Sequence, residues 1–271
     1  MDIPEAVSVG KEVVWRTIAE VDARLGVAAP TSRNVVLMYH SVGGSAGNTD
    51  GRVVTVEAFR ELLAWLDGRY EFVDLPRVLE AGGGPRVAIT FDDAYRSVHR
   101  HALPVLCEFD APATVYVIAD RVGGATERGV PYLTEAQVRD LVADDLVTVG
   151  NHTRTHARLS ALDEAALREE VVGAKDALEA RFDCDVERFC YPYGDYTPRV
   201  VDVVRESHDY ATADYGHVAP ATDPHRIPRV DASQPPTVVR WELTGAAESL
   251  RRRVGGTPQG EGYADTGTRI E

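Results

Sequence analysis

Arg86-Val87-Ala88-Ile89-Thr90-Phe91-Asp92-Asp93 is the stretch on which the reading of this chain turns. An apolar run of strand length ends in two adjacent carboxylates. The carboxyl end of such a strand is where an α/β barrel carries its chemistry. The two side chains point in different directions, so one aspartate can hold a metal while the other moves protons. An Asp-Asp pair taken alone is also an ordinary turn or helix N-cap. Its meaning therefore depends on what stands elsewhere.

Outward from this stretch, short apolar runs alternate with helical patterns. Strands are expected at 34–40, 71–74, 87–91, 113–118, 146–149, 188–191 and 209–213, and helices at 56–67, 75–80, 95–109, 134–143, 162–181, 197–206 and 236–253. Strands alternating with helices indicate a parallel sheet or a (β/α) barrel. About seven such units fit between residues 34 and 231. The expected domain is a barrel over 34–253, preceded by a helical lead-in at 1–33 (Val13, Trp15, Ile18, Val21, Leu25) and followed by a Gly-rich, disordered tail at 254–271.

Two further motifs follow expected strands. Asn151-His152-Thr153-Arg154-Thr155-His156 places two histidines four residues apart, the spacing that chelates a divalent ion from one side of a helical turn. With an aspartate from the earlier strand they make a facial set that leaves positions open for water and substrate. Asn151-His152-Thr153 is formally a glycosylation sequon, discounted because it overlaps a metal ligand. Arg188-Phe189-Cys190-Tyr191-Pro192-Tyr193-Gly194 ends a strand in a turn that can aim a backbone N–H, and its arginine can orient a carboxylate.

Together, Thr90-Phe91-Asp92-Asp93, His152-x-x-x-His156 and Arg188-x-x-x-Pro192-Tyr193-Gly194 resemble the first three motifs of the polysaccharide deacetylases, the NodB-homology or carbohydrate esterase 4 group. The resemblance implies an α/β fold, a distorted (β/α)7 barrel, that hydrolyses acetyl groups from N-acetylated sugar units. It implies Asp93, His152 and His156 as ligands of a divalent metal, usually zinc, with cobalt, nickel or iron as alternatives. Asp92 becomes the base that deprotonates water, Arg188 the residue that orients it, and the backbone N–H of Tyr193 an oxyanion donor, with Pro192 and Tyr215 at the substrate. The family's late Leu-x-His, which supplies the acid, has no good counterpart in His225-Arg226-Ile227-Pro228-Arg229-Val230. Val36-Leu37-Met38-Tyr39-His40-Ser41-Val42 instead resembles the N-terminal motif of the circularly permuted poly-N-acetylglucosamine deacetylase branch. That makes His40 the expected acid and His225 the runner-up. Asp209-Tyr210 and Asp214-Tyr215 are candidates for the fourth motif. His99, His101, His208 and His217 read as surface or helix residues. A metal-dependent amidohydrolase acting on a small non-sugar amide or imide is the alternative, and a non-catalytic carbohydrate-binding relative the third reading.

The chain's 271 residues are 44% apolar, enough for a large core, and carry a net charge of −14. That charge argues against nucleic acid as a partner. Arg251-Arg252-Arg253 reads as a solvated helix end. Only Lys11 and Lys175 are lysines, and an acidic, lysine-poor chain resembles those adapted to high salt. Cys107, Cys184 and Cys190 form no Cys-x-x-Cys pair. No run reaches the ~18–20 apolar residues of a membrane helix. With no secretory signal at Met1-Asp2-Ile3-Pro4-Glu5, a cytoplasmic location is expected.

Overall fold

The computed structural model describes residues 16–22, 30–43 and 52–247. Its strands in chain order are β1 (Val35–Tyr39), β2 (Ser41–Val42), β3 (Val53–Val54), β4 (Glu71–Phe72), β5 (Arg86–Phe91), β6 (Ala113–Val117), β7 (Val147–Asn151), β8 (Arg188–Cys190), β9 (Tyr210–Tyr215) and β10 (Ile227–Asp231). β1 pairs in parallel with both β5 and β10, so the order β1-β10-β9-β8-β7-β6-β5 returns to β1 and closes a parallel barrel. Helices cover its outside, which buries the strands on both faces and explains their near-continuous apolar runs. All five residues of β1 and of β6 are buried.

Helix Val56–Leu66 shows how the outer layer attaches. Thr55 caps it by accepting the Ala58 N–H at 3.1 Å. Phe59, Leu62, Leu63 and Leu66 lie on one face and are buried. Phe59 packs edge-on against Tyr39 at 5.1 Å, and Tyr39 stacks on Phe91 at 5.5 Å. Each of these apolar side chains contributes about 1.5–3 kcal/mol by burial. Helix Glu164–Arg168 runs through a π-turn, Glu169–Gly173, into helix Ala174–Phe182.

Three expectations are corrected. The 71–74 run makes only the short β4, which pairs with the start of β5 outside the closed ring. The seventh barrel strand is β10, where Pro228 lies at a register shift between Ile227 and Arg229. A proline inside a run argues against a central strand unless a bulge accommodates it. The expected helix at 236–253 stops at Glu242, where Thr244 accepts the Ala247 N–H and starts a new turn. Residues 16–22 of the lead-in are helical. Val13, Trp15, Leu25, Arg251 to Arg253 and the 254–271 tail lie outside the described residues. Among the described residues no helix is long and apolar enough to cross a membrane.

Candidate active site

The carboxyl ends of β5 and β7 bring the motifs together. The Asp92 N–H donates to the Tyr39 carbonyl at 2.9 Å, and the His152 N–H to the Val117 carbonyl at 2.9 Å. Asp93 (φ 66°), Ala94 (φ 52°), Thr153 (φ 67°), His156 (φ 71°) and Tyr193 (φ 60°) all take the left-handed backbone region. Such conformations cost non-glycine residues energy and concentrate at sites where the surroundings enforce them. Here the enforcement is visible. Asn151 Oδ1 accepts the Thr153 N–H at 2.8 Å, and Thr153 Oγ1 accepts the His156 N–H at 3.0 Å. Glu170, reaching in from the π-turn, accepts the N–H groups of Arg154 and Thr155 at 3.0 and 2.9 Å. The loop between the two histidines is thereby fixed.

The result is a donor set. Asp93 Oδ1 lies 3.6 Å from His152 Nε2 and 3.5 Å from His156 Nε2. His152 Nδ1 donates to the Cys190 carbonyl at 2.9 Å, which turns Nε2 toward the site. His156 Nδ1 sits 3.1 Å from the Tyr193 hydroxyl and is oriented the same way. Burial, helped by His152, pushes His156 down to about 4, so its imidazole is neutral and able to ligate. Burial also works against a charged His152, yet Cys190, Asp92 and Asp93 push it up to about 10. That field favours a cation at this point. One carboxylate oxygen and two imidazole nitrogens fit a divalent ion with open positions. A second group, Asp92, His152 and Cys190, also lies within ligating reach of itself.

Asp92 has different company. Arg229 grips it through two hydrogen bonds, Nη1 to Oδ1 at 2.7 Å and Nη2 to Oδ2 at 2.9 Å, and both residues are buried. Burial opposes the carboxylate, but the Arg229 guanidinium, with His152 and His40, holds Asp92 well below the usual carboxylate range. The Cys190 thiol lies 3.6 Å from Asp92 Oδ1 and 3.2 Å from Arg229 Nη2. His40 Nε2 is 4.0 Å from Asp92 Oδ2 and accepts from Arg52 Nη1 at 3.1 Å. Burial holds His40 below its ordinary value despite Asp92 and Asp93.

Several expectations change. Arg188 does not orient Asp92: it pairs with Asp74 and donates to Thr114 Oγ1 at 2.9 Å, toward the other end of the barrel. Its place at the start of β8 leaves it short of the carboxyl end, and Arg229 of β10 takes the role. His225 precedes β10, with Nε2 donating to the His208 carbonyl at 2.9 Å, away from Asp92. Pro192 is buried within its turn, so it shapes the turn and offers no substrate surface. Tyr193, in contrast, is 44% exposed. Tyr215 and Asp214 end β9, and their side chains lie outside what is described. Tyr210 is only partly buried and begins β9, at the far end from the site.

His208 is no surface residue: it is buried, accepts from Asn151 Nδ2 at 3.1 Å and lies 2.9 Å from Ser207 Oγ. Burial, aided by Lys175, pushes it down to about 3, from 6.5. A depressed pKa means that neutral His208 supports folding above about pH 6.5 and that this support is lost as the pH falls toward 3. Over that window wild type should lose up to about 1.4 kcal/mol per pH unit relative to His208→Gln. Urea unfolding of both proteins at a series of pH values checks this.

Beside Asp93 and His40 a cleft of about 350 Å³ opens, walled by Tyr95 and Tyr193 and by the loop after β6. Tyr95 stacks on Tyr132 at 5.3 Å and steadies that loop.

With this geometry in hand, comparison with known proteins is decisive. The family model described as polysaccharide deacetylase matches residues 80–212, which include Asp92, Asp93, His152 and His156. Residues 80–212 thus carry a polysaccharide deacetylase domain. The chain is 24% identical over 255 residues to the poly-beta-1,6-N-acetyl-D-glucosamine N-deacetylase of Escherichia coli K12, covering 77% of this chain and 38% of that protein. It is 27% identical over 179 residues to YxkH of Bacillus subtilis, of which it spans 61%. The solved structure of IcaB from Ammonifex degensii superposes with a TM-score of 0.67 at 27% identity, over 79% of this chain and 99% of that one. The closed barrel is thus the distorted (β/α)7 fold of this deacetylase family. His40 and Arg229 both fall outside the segment matched by the family model.

Proposed function

We propose that the chain hydrolyses the acetamido group of N-acetylglucosamine units in a glycan or glycan precursor, in a metal-dependent reaction. The observation that carries this is the placement of Asp92, locked ionised by Arg229, against the Asp93–His152–His156 donor set with His40 alongside. An amide is a poor electrophile with a poor leaving group, so a base, an acid and fixed charge are all needed.

Asp93, His152 and His156 would hold the metal, with zinc the first choice for this donor set and cobalt, nickel or iron as alternatives. Bound there, a divalent ion polarises the acetyl carbonyl and makes water a stronger acid. Asp92 takes the proton of the attacking water. Its oxygens remain oriented because Arg229 occupies both of them from behind. The Tyr193 backbone N–H, carried by the strained turn after β8, is assigned to the oxyanion. The lone pair of His40 Nε2, 4.0 Å from Asp92, receives that proton from Asp92 and passes it to the departing amine.

The test is acetate release from N-acetylglucosamine oligomers. Activity should vanish on chelation and return with zinc or another of the named ions. Acetate release that persists after complete metal removal contradicts the proposal. Metal uptake without acetate from any oligomer shifts the reading to a small-molecule amide.

A further inference from the structure

We propose that the cleft accepts an N-acetylated sugar carrying an acidic group, a phosphate or a carboxylate, close to the acetamido group. This rests on the deacetylase reading and specifies its substrate. Arg52, Arg121 and Arg128 line the same 350 Å³ cleft as His40, Asp93 and Tyr193. Arg158 lies over the Tyr193 ring at 4.5 Å and adds a fourth guanidinium nearby. Against them the cleft sets the carboxylates of Asp93, which is committed to the donor set, and Glu127. A basic cleft stands out in a chain with net charge −14.

The bonding of these arginines sharpens the point. Elsewhere guanidiniums meet carboxylates, as in Arg60–Glu108, Arg168–Glu206 and Arg240–Glu61. Arg121 instead donates to the Tyr132 hydroxyl at 3.1 Å and the Thr155 carbonyl at 3.3 Å, with its guanidinium 5.8 Å from the Tyr132 ring centroid. Neutral acceptors hold it in place without cancelling its charge. Among the described residues neither Arg121 nor Arg128 forms an ion pair. Thr155 lies between the two metal-binding candidates His152 and His156, so Arg121 is tied to the loop that would position the reacting centre. Guanidiniums brought together around one cleft repel one another, and an anion between them relieves that repulsion. Their fork also matches phosphate and carboxylate oxygens.

Acetate release would be compared on three substrates: neutral N,N′-diacetylchitobiose, a glucuronate–N-acetylglucosamine disaccharide and N-acetylglucosamine 1-phosphate. At least one acidic substrate should show a kcat/KM about tenfold or more above the neutral one. Which acidic substrate does so tells carboxylate from phosphate. The advantage should shrink as salt rises from roughly 0.1 to 1 M, because screening shortens from about 10 Å to 3 Å. In R121Q/R128E the preference should disappear through KM. Equal rates on all three substrates in wild type, or a preference that survives in R121Q/R128E, overturns the proposal. Calorimetric binding of glucosamine 1-phosphate and chitobiose separates it from the deacetylase reading. Tighter phosphate binding with no acetate release sustains the acidic cleft and removes the reaction, whereas equal binding removes the acidic cleft.

Discussion

Asp92→Asn is expected to lower kcat for acetate release by about 10²–10⁴-fold, the range for loss of a general base. The substitution keeps the shape of the side chain and one oxygen for Arg229, so the buried pocket stays filled. What it removes is a carboxylate that Arg229, His152 and His40 keep ionised against the cost of burial. Because Asp93, not Asp92, faces both histidine Nε2 atoms at 3.5–3.6 Å, the variant should take up metal like wild type. The readout is therefore a fall in kcat with unchanged metal content. A variant with near-wild-type kcat would remove Asp92 from the chemistry.

Arg229→Met should be the most destabilising of these changes. It strands a buried carboxylate without its cation, and breaking such a pair costs about 3–5 kcal/mol. The sign with pH follows from the direction of the Asp92 shift. In wild type the carboxyl is depressed, so the pair stabilises the fold above the ordinary carboxylate pKa of about 4, and this is lost as the pH falls further. The gap between wild type and variant is thus full at neutral pH and narrows in acid. The same change has a kinetic signature. Without the guanidinium, burial raises Asp92, and the acid limb of the kcat/KM profile should move toward neutrality. Denaturant unfolding at two pH values and one pH–rate profile test both halves. An unmoved acid limb in a folded variant would show that Arg229 does not control the base.

The parts of this site that the sequence carried were local. Asp92, Asp93, His152 and His40 each follow an apolar run, which places them at one mouth of the barrel, and His156 comes with them through its four-residue spacing from His152. What escaped was non-local. Arg229 hid in a strand interrupted by Pro228, although Ile227, Arg229 and Asp231 alternate as strand residues do. Arg188 had the right residue type in the right motif, but its position at the start of β8 sends its guanidinium to Asp74. Glu170 and His208, which fix the loop bearing the two histidines through Thr155 and Asn151, carry no motif at all. Their role exists only because a π-turn and the C-terminal end of helix Pro198–Ser207 pack against β7.

The central claim is the division of labour between the two neighbouring aspartates, and metal stoichiometry tests it most directly. Wild type, Asp92→Asn and Asp93→Asn would each be stripped and titrated with zinc in competition with a chromophoric chelator. The account expects one tightly held ion per chain in wild type and in Asp92→Asn, and at least tenfold weaker binding in Asp93→Asn. Weak binding in Asp92→Asn with tight binding in Asp93→Asn would instead place the ion among Asp92, His152 and Cys190 and contradict the assignment of Asp92 as the base.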